Sequence, residues 1–323
     1  MRNSASSVDG VTNLDAPADH QRYQRKIDFL RAHSPRWQTA VAFLVAAYVN
    51  RAGVCTPEVI RRIEYLTSRL LGQPLSRRDW DKMTFNDKVA YRKFKVKDPI
   101  FTEFSDKLRM REYVTDILGP EALPALIKVA DEAAAFGELT GPFAFKANHG
   151  SGWVILVDSP RGLTASELTQ ATSWLAINYE QVNQEWGYRS ARRLLYAEEL
   201  LAGQPKDYRF YVFDGEPVMI QVEIDRFVGH RRALMGTDWS PIGWHTTYPP
   251  AVAPESAPPN LDVMLNWAAR LGAGIDFVRV DLYDLRDRVV VGEMTCYPAS
   301  GRAAFRPAEL DAWLGSKWRW RAG

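Results

Sequence analysis

Cysteine is scarce: the 323 residues hold only Cys55 and Cys296, and neither stands in a CxxC or Cys/His ligand spacing. A disulfide framework and a thiolate zinc site are excluded on that count. Histidine is equally thin, five in all and unclustered. Neither sign of charge dominates, with 41 Lys plus Arg against 39 Asp plus Glu and a net charge of +2. A dedicated nucleic-acid binder carries a basic excess, so that class and a nucleic-acid partner are set aside. No apolar run approaches the ~20 residues of a bilayer span. The strongest, TAVAFLVAAYV at 39–49, reads as a buried helix, with an interfacial anchor as the alternative. Residues 1–20 lack the apolar segment of a secretory signal and read as a disordered leader. A cytoplasmic protein without a membrane span is expected. Internal repeats are missing too, and the Pro/Ala stretch at 249–259 reads as a loop.

What is present is 46% hydrophobic and 12% aromatic residues, enough to bury a substantial core in roughly two domains of ~150 residues. The first part of the chain has helical grammar. Ser34 and Pro35 can start the apolar helix, and Thr56 with Pro57 can start another that stops at Gly72. FNDKVAYRKFKVK at 85–97 is amphipathic, basic and ended by Pro99. Ser105 is expected to cap SDKLRMREYVTDILG, with Gly119 and Pro120 as its stop. After residue 140 the grammar changes. FAFKAN and WVILVD read as two strands around a tight HGSG turn. TASELTQATSWLAINY reads as a helix capped by Thr164. RRLLYAEELL, DYRFYVF and VMIQVEI read as antiparallel strands, the last two joined by DGEP. LDVMLNWAARLG is a helix ending on Gly272. FVRVDLYDL and RVVVGEMT are alternating strands joined at Arg286-Asp287. Helices first and strands later make an α+β fold.

Three stretches carry chemistry. FAFKANHGSG places Lys146 before a glycine turn; a solvated lysine beside an ordinary loop is the bland alternative. In FVRVDLYDLRDRVVVGEMTCYP the alternation of side chains along a strand puts Arg279 and Asp281 on one face, and Glu293 and Thr295 on one face across the hairpin. A salt-bridged sheet surface would explain these residues. Facing carboxylates repel unless a cation lies between them, and magnesium takes one or two carboxylates plus nucleotide oxygens. EIDRFVGHRR supplies Asp225, Arg226, His230, Arg231 and Arg232, either as a solvated basic loop or as a pocket for an acidic substrate bound by guanidinium forks. His230 is also a candidate general base. Trp239 and Trp244 line that pocket or belong to the core.

In this order and spacing, SDKLRMREYV, FAFKANHGSGWVIL, YAEELL, KDYRFYVFDGEPVMIQVEIDRFVGHRR, DFVRVDLYD and GEMTCYPASG resemble the ATP-grasp superfamily, and within it the TupA-like branch named for teichuronopeptide biosynthesis. The resemblance covers roughly residues 80–305. It implies two α+β lobes clamping ATP, here a lid over 141–201 and a core over 202–323, after a helical region at 21–140. By the same resemblance Lys107 and Lys146 match phosphate-binding lysines, and His149, Gly150, Ser151 and Gly152 match the flap over the phosphates. Glu198, Glu199 and Leu201 match the adenine hinge; apart from the resemblance, Arg209 in KDYRF sits where a cation could reach phosphate, with Lys206 or a solvated surface position as the alternatives. Asp281 and Glu293 match the magnesium carboxylates, with Thr295 where many relatives place asparagine. Arg279 matches the arginine that steadies a tetrahedral intermediate.

The activity implied is an ATP- and magnesium-dependent carboxylate–amine ligase working through an acyl phosphate, in cell-surface polymer or specialised-metabolite assembly. Its partners would be a small carboxylate and an amine such as an amino acid, with a homodimer as an allowed assembly. A kinase acting on a hydroxyl, or a nucleotide-binding subunit without turnover, are the alternatives.

Overall fold

The computed structural model describes residues 77–320 apart from 184, 204, 226–228, 247, 253 and 254. The leader, the helices expected around 39–49 and 56–72, Cys55 and Arg226 lie outside the described residues. A threonine and two aspartates start the first three α-helices of the described residues. Thr84 and Asp87 form a reciprocal capping box at the head of α1 (Phe85–Lys95). Asp98 caps α2 (Pro99–Ser105), which opens on proline. α3 (Lys107–Leu118) is capped by Asp106, whose carboxylate accepts from the Arg109 N–H at 3.0 Å. The expected cap, Ser105, instead ends α2. Asp106 serves better because the same buried carboxylate also takes a forked bond from Arg192, at 2.9 and 3.0 Å. Gly119, at φ +96, and Pro120 stop α3 as expected.

The smaller sheet holds β1 (Leu126–Ala130), β2 (Phe143–Ala147), β3 (Val154–Val157) and β4 (Leu195–Glu199). It is antiparallel throughout, in the order β1-β4-β2-β3. Strand alternation turns Phe143, Phe145, Leu195 and Ala197 into a core with Phe136 and Trp174. The intervening Ala144, Lys146 and Glu198 therefore face the other way. Trp174 comes from α4 (Ala165–Ala176), which carries the Thr164 capping box. β1 lies in a span read as helical. Its first four residues are exposed, so no apolar periodicity marks them, and pairing with β4 decides their conformation.

The larger sheet, also antiparallel, runs β7-β6-β5-β8-β9. Its strands are β5 (Asp207–Phe213), β6 (Glu216–Ile224), β7 (Arg231–Met235), β8 (Val278–Asp284) and β9 (Val289–Thr295). Asp214 and Gly215 join β5 to β6 with both residues at positive φ, the geometry a two-residue hairpin favours. Phe210, Val222, Val280 and Leu282 are fully or almost fully buried. Across β5, β6 and β8 packs α5 (Leu261–Gly272), where a Cβ on Gly272 would come within 2.4 Å of Val212 Cγ1. On the opposite face Tyr211 and Phe213 meet Phe85 of α1, ring centroids 5.7 and 6.3 Å apart. Beyond those rings the face turns from aromatic to charged. Among the described residues no helix is long and apolar enough to cross a membrane.

Candidate functional site

The charged end of the larger sheet is a row assembled by register. Asp281 pairs with Glu293 and Arg279 with Thr295 across β8 and β9. Arg209 pairs with Asp281, and Asp207 with Glu223, across the neighbouring strands. A bulge at Gly292 keeps Glu293 opposite Asp281, and the glycine is needed because a Cβ there would meet the Tyr283 ring at 2.5 Å. Arg279 donates to Asp281 through Nε at 2.7 Å and Nη2 at 2.6 Å. Arg209 stands among three carboxylates, with Asp207 at 2.7 Å, Glu223 at 2.8 Å and Asp281 at 3.5 Å. Arg209 and Arg279 thus stand between carboxylates that the register places opposite one another.

Glu223 is the hub at the β7 end. Arg232 Nε donates to both of its oxygens, at 2.9 and 3.0 Å, His230 Nε2 bonds to Oε2, and Gln221 Nε2 donates to Oε1 at 2.6 Å. Burial opposes its ionisation, but Arg209 and Arg232 overcome this and hold its carboxyl down to about 2. The Tyr248 ring lies against His230, tilted by 36° with ring centroids 3.8 Å apart, and 4.4 Å from the Arg232 guanidinium. Asp225 is exposed at the end of β6 with φ +49. Arg231 and Arg232 belong to β7, a strand that their charge had concealed. Trp239 and Trp244 both pack against the core.

Above the row, Lys107 and Lys146 converge from α3 and β2. The Lys107 ammonium donates to the Gly150 carbonyl. Burial lowers its pKa, Glu293 raises it, and the charge of Lys146 lowers it further. The HGSG turn is held from below: Asn148 Oδ1 accepts from the Leu108 N–H at 2.8 Å, and its Nδ2 donates to the Arg192 carbonyl at 2.8 Å. Gly152 takes φ +77, where a side chain is strained. Ser151 and Gly152 are exposed, whereas His149 turns into the small core, its Nε2 3.0 Å from the Trp174 carbonyl. Burial lowers the His149 pKa, and its Nδ1 has no hydrogen-bond partner. Lys146 Nζ sits 2.5 Å from Glu198 Oε1. Glu199 reaches across to Arg288 at 2.5 Å.

A cavity of 440 Å³ is walled by both sheets: Lys146, Leu156, Glu198 and Glu199 from the smaller, Asp207, Glu223 and Gly292 from the larger, with Leu201 on the connecting segment. A TupA-like ATP-grasp family model matches residues 87–319. The chain belongs to that family. None of the curated proteins compared matches it. Among solved structures it is similar to the ATP-grasp ligase PsnB complexed with a minimal precursor, at 17% identity over 61% of this chain and 53% of that one, TM-score 0.33. It is also similar to an L-amino acid ligase from Bacillus licheniformis, at 16% identity over 62% and 42%, TM-score 0.36. A third is N5-carboxyaminoimidazole ribonucleotide synthetase from Thermotoga maritima, at 10% over 60% and 42%, TM-score 0.32. The chain thus spans about half the length of the first of these.

ATP-grasp proteins use magnesium, and the donors in this member fit it in one particular way. Among the described residues no group of three or more His, Cys, Asp or Glu is placed to hold an ion. Asp281 and Glu293 instead offer two carboxylates in register, suited to a magnesium that takes its remaining ligands from phosphates and water. Thr295 Oγ1 lies 3.4 Å from Arg279 Nη2. Sequence reasoning had not picked out Asp207, Gln221, Glu223 or Arg111. The signal for the first three was period-two spacing in KDYRF and VMIQVEI, and for Arg111 its place four residues after Lys107.

Proposed function

We propose that this ATP-grasp protein is an ATP-dependent carboxylate–amine ligase. The observation that carries the reading is that Lys107 of α3 feels the charge both of Lys146, on β2 in the cavity wall, and of Glu293, on β9 next to the wall residue Gly292. Two ammonium groups and a carboxylate pair suit a polyphosphate and its counter-ion. The smaller sheet, with β1 included, would act as the lid and the larger as the core.

In this reading Lys107 and Lys146 hold phosphate oxygens, and the backbone of Gly150, Ser151 and Gly152 closes over them. Leu201 and the Glu199 backbone would take the adenine edge, with Glu198 near its amine. Magnesium, held by Asp281 and Glu293, would supply neutralisation of phosphate charge. The terminal phosphoryl group of ATP passes to a substrate carboxylate, giving an acyl phosphate and ADP. An amine then attacks the acyl carbon, the C–O bond to phosphate breaks with its electron pair leaving on phosphate, and an amide remains. Arg279 holds the negative charge that grows on the carbonyl oxygen, with Arg209 as a second cation nearby. His230, oriented by Glu223, takes a proton from the attacking amine, while Asp225, Arg226 and Arg232 select the substrate. An amino acid as one substrate and a cytoplasmic setting complete the proposal.

Hydroxylamine trapping tests it. Protein, Mg-ATP and a panel of amino acids and other small carboxylates should yield a hydroxamate and ADP. A stable phosphorylated alcohol in place of hydroxamate would make the protein a kinase.

A further inference from the structure

Glu198 is a buried carboxylate with two cationic partners. Lys146 Nζ bonds its Oε1 at 2.5 Å, and Arg111 Nη1 bonds its Oε2 at 2.8 Å. The two cations are not equivalent. Arg111 is also tied to the Pro124 carbonyl at 2.6 Å and is 12% exposed, whereas Lys146 is 26% exposed and has Glu198 as its ion-pair partner. Lys146 and Glu198 line the 440 Å³ cavity. Arg111 stands behind them, along the groove between α3 and β1.

We propose that Arg111 is a positioning residue for nucleotide binding: it keeps Glu198 charge-balanced so that Lys146 can transfer to phosphate. The inference rests on the nucleotide-binding reading above. Breaking a buried ion pair by removing one partner is costly because it leaves an uncompensated charge. A lysine bound to Glu198 as the sole cation would resist transfer by that amount. With Arg111 in place the carboxylate keeps a fixed guanidinium partner, and the lysine, with its flexible stem, is the cation that moves. α3 brings this about by carrying Lys107 and Arg111 four residues apart on one face. One rigid helix thus aims a phosphate-binding lysine and the residue that releases the other.

A double-mutant cycle read by calorimetric titration with Mg-ATP tests the proposal, using wild type, Arg111→Met, Arg111→Lys, Glu198→Gln and the Arg111→Met/Glu198→Gln pair. Arg111→Met should weaken Mg-ATP binding about tenfold, and Arg111→Lys by about threefold or less. In the double variant the loss from Arg111→Met should largely disappear, because no charge on residue 198 remains to hold Lys146. Additive losses, or a lowered melting temperature with unchanged Mg-ATP affinity, would make Arg111 a structural tie and overturn the proposal. Absence of Mg-ATP binding by wild type would instead overturn the nucleotide reading on which it stands.

Discussion

The Arg279 guanidinium grips Asp281 with two nearly parallel bonds, at 2.7 and 2.6 Å, although the two residues share one strand. Period-two alternation makes this possible, since it puts both on one face of β8. Both are buried, and burial pushes the Asp281 carboxyl up to about 7 against the pull of Arg279. Glu293 Oε2 lies 3.7 Å from the same guanidinium. Arg279 is thus anchored by one carboxylate and reaches toward another.

The first prediction follows from that fork. An ammonium cannot reproduce two parallel bonds, and a charge that matters most at the tetrahedral stage affects turnover more than binding. Arg279→Lys should lower kcat by about 10²–10³ and leave Mg-ATP affinity nearly intact. If affinity and melting temperature fall together while kcat stays near normal, Arg279 only holds the sheet.

A second prediction separates the two candidate caps of α3. Asp106→Ala removes a cap worth about 1 kcal/mol and the charged acceptor of Arg192, which is 39% exposed and keeps Glu112 at 3.6 Å, a further loss of about 1.5–3 kcal/mol. Ser105→Ala removes neither. Urea denaturation should show a large destabilisation for the first and a small one for the second, with Asp106→Asn between. Equal losses would return the cap to Ser105.

These cases show what a sequence can and cannot reveal here. Strands with one apolar face, such as β5 and β8, and helices with clear punctuation, such as α4 and α5, were legible because burial imposes a period. β1 and β7 were not: one is exposed at four residues of five and the other opens on two arginines. Within the site, Arg279, Asp281, Glu293 and Thr295 could be placed on one face because a single hairpin carries them. Arg209 with Glu223, and Glu198 with Arg111, are pairs between separate elements. No local pattern announces them, and the distance that joins them exists only once the sheets form.

Two buried glutamates give opposite pH dependences. Glu223 is held down to about 2 from 4.5, so its stabilisation is present above pH 4.5 and is lost as pH falls through 2. That shift corresponds to about 3 kcal/mol. Glu185, 6% exposed, is pushed by burial up to about 7 from 4.5, with Ser300 and Lys93 opposing. Its contribution is present below pH 4.5 and is lost as pH rises through 7. Glu223→Gln should therefore destabilise at pH 7 and lose its penalty near pH 2. Glu185→Gln should gain stability relative to wild type at pH 8 and show no gain at pH 4. Denaturation curves across pH decide both, and parallel profiles for the two variants would contradict the assignment.

The last prediction concerns the metal. Burial opposes ionisation of Glu293, but Lys107, Arg279 and Arg209 prevail and hold its pKa low, so it is a carboxylate at neutral pH. With Asp281 opposite in register, it would, in the reading proposed above, be one of two side chains holding a magnesium ion. Thr295 comes next on that face, and its hydroxyl is a weaker magnesium ligand than an amide oxygen. Thermal shift should therefore show stabilisation by Mg-ATP beyond that by ATP with chelator, since a ligand bound only by the folded state raises its stability. Glu293→Gln should abolish most of the magnesium-dependent part and leave the part due to ATP alone. Thr295→Asn should shift half-maximal stabilisation to lower magnesium concentration, and Thr295→Val should change it little, because the hydroxyl already serves Arg279 at 3.4 Å. A magnesium requirement untouched by Glu293→Gln would place the ion elsewhere and leave this carboxylate as a partner of Lys107 and Arg279 alone.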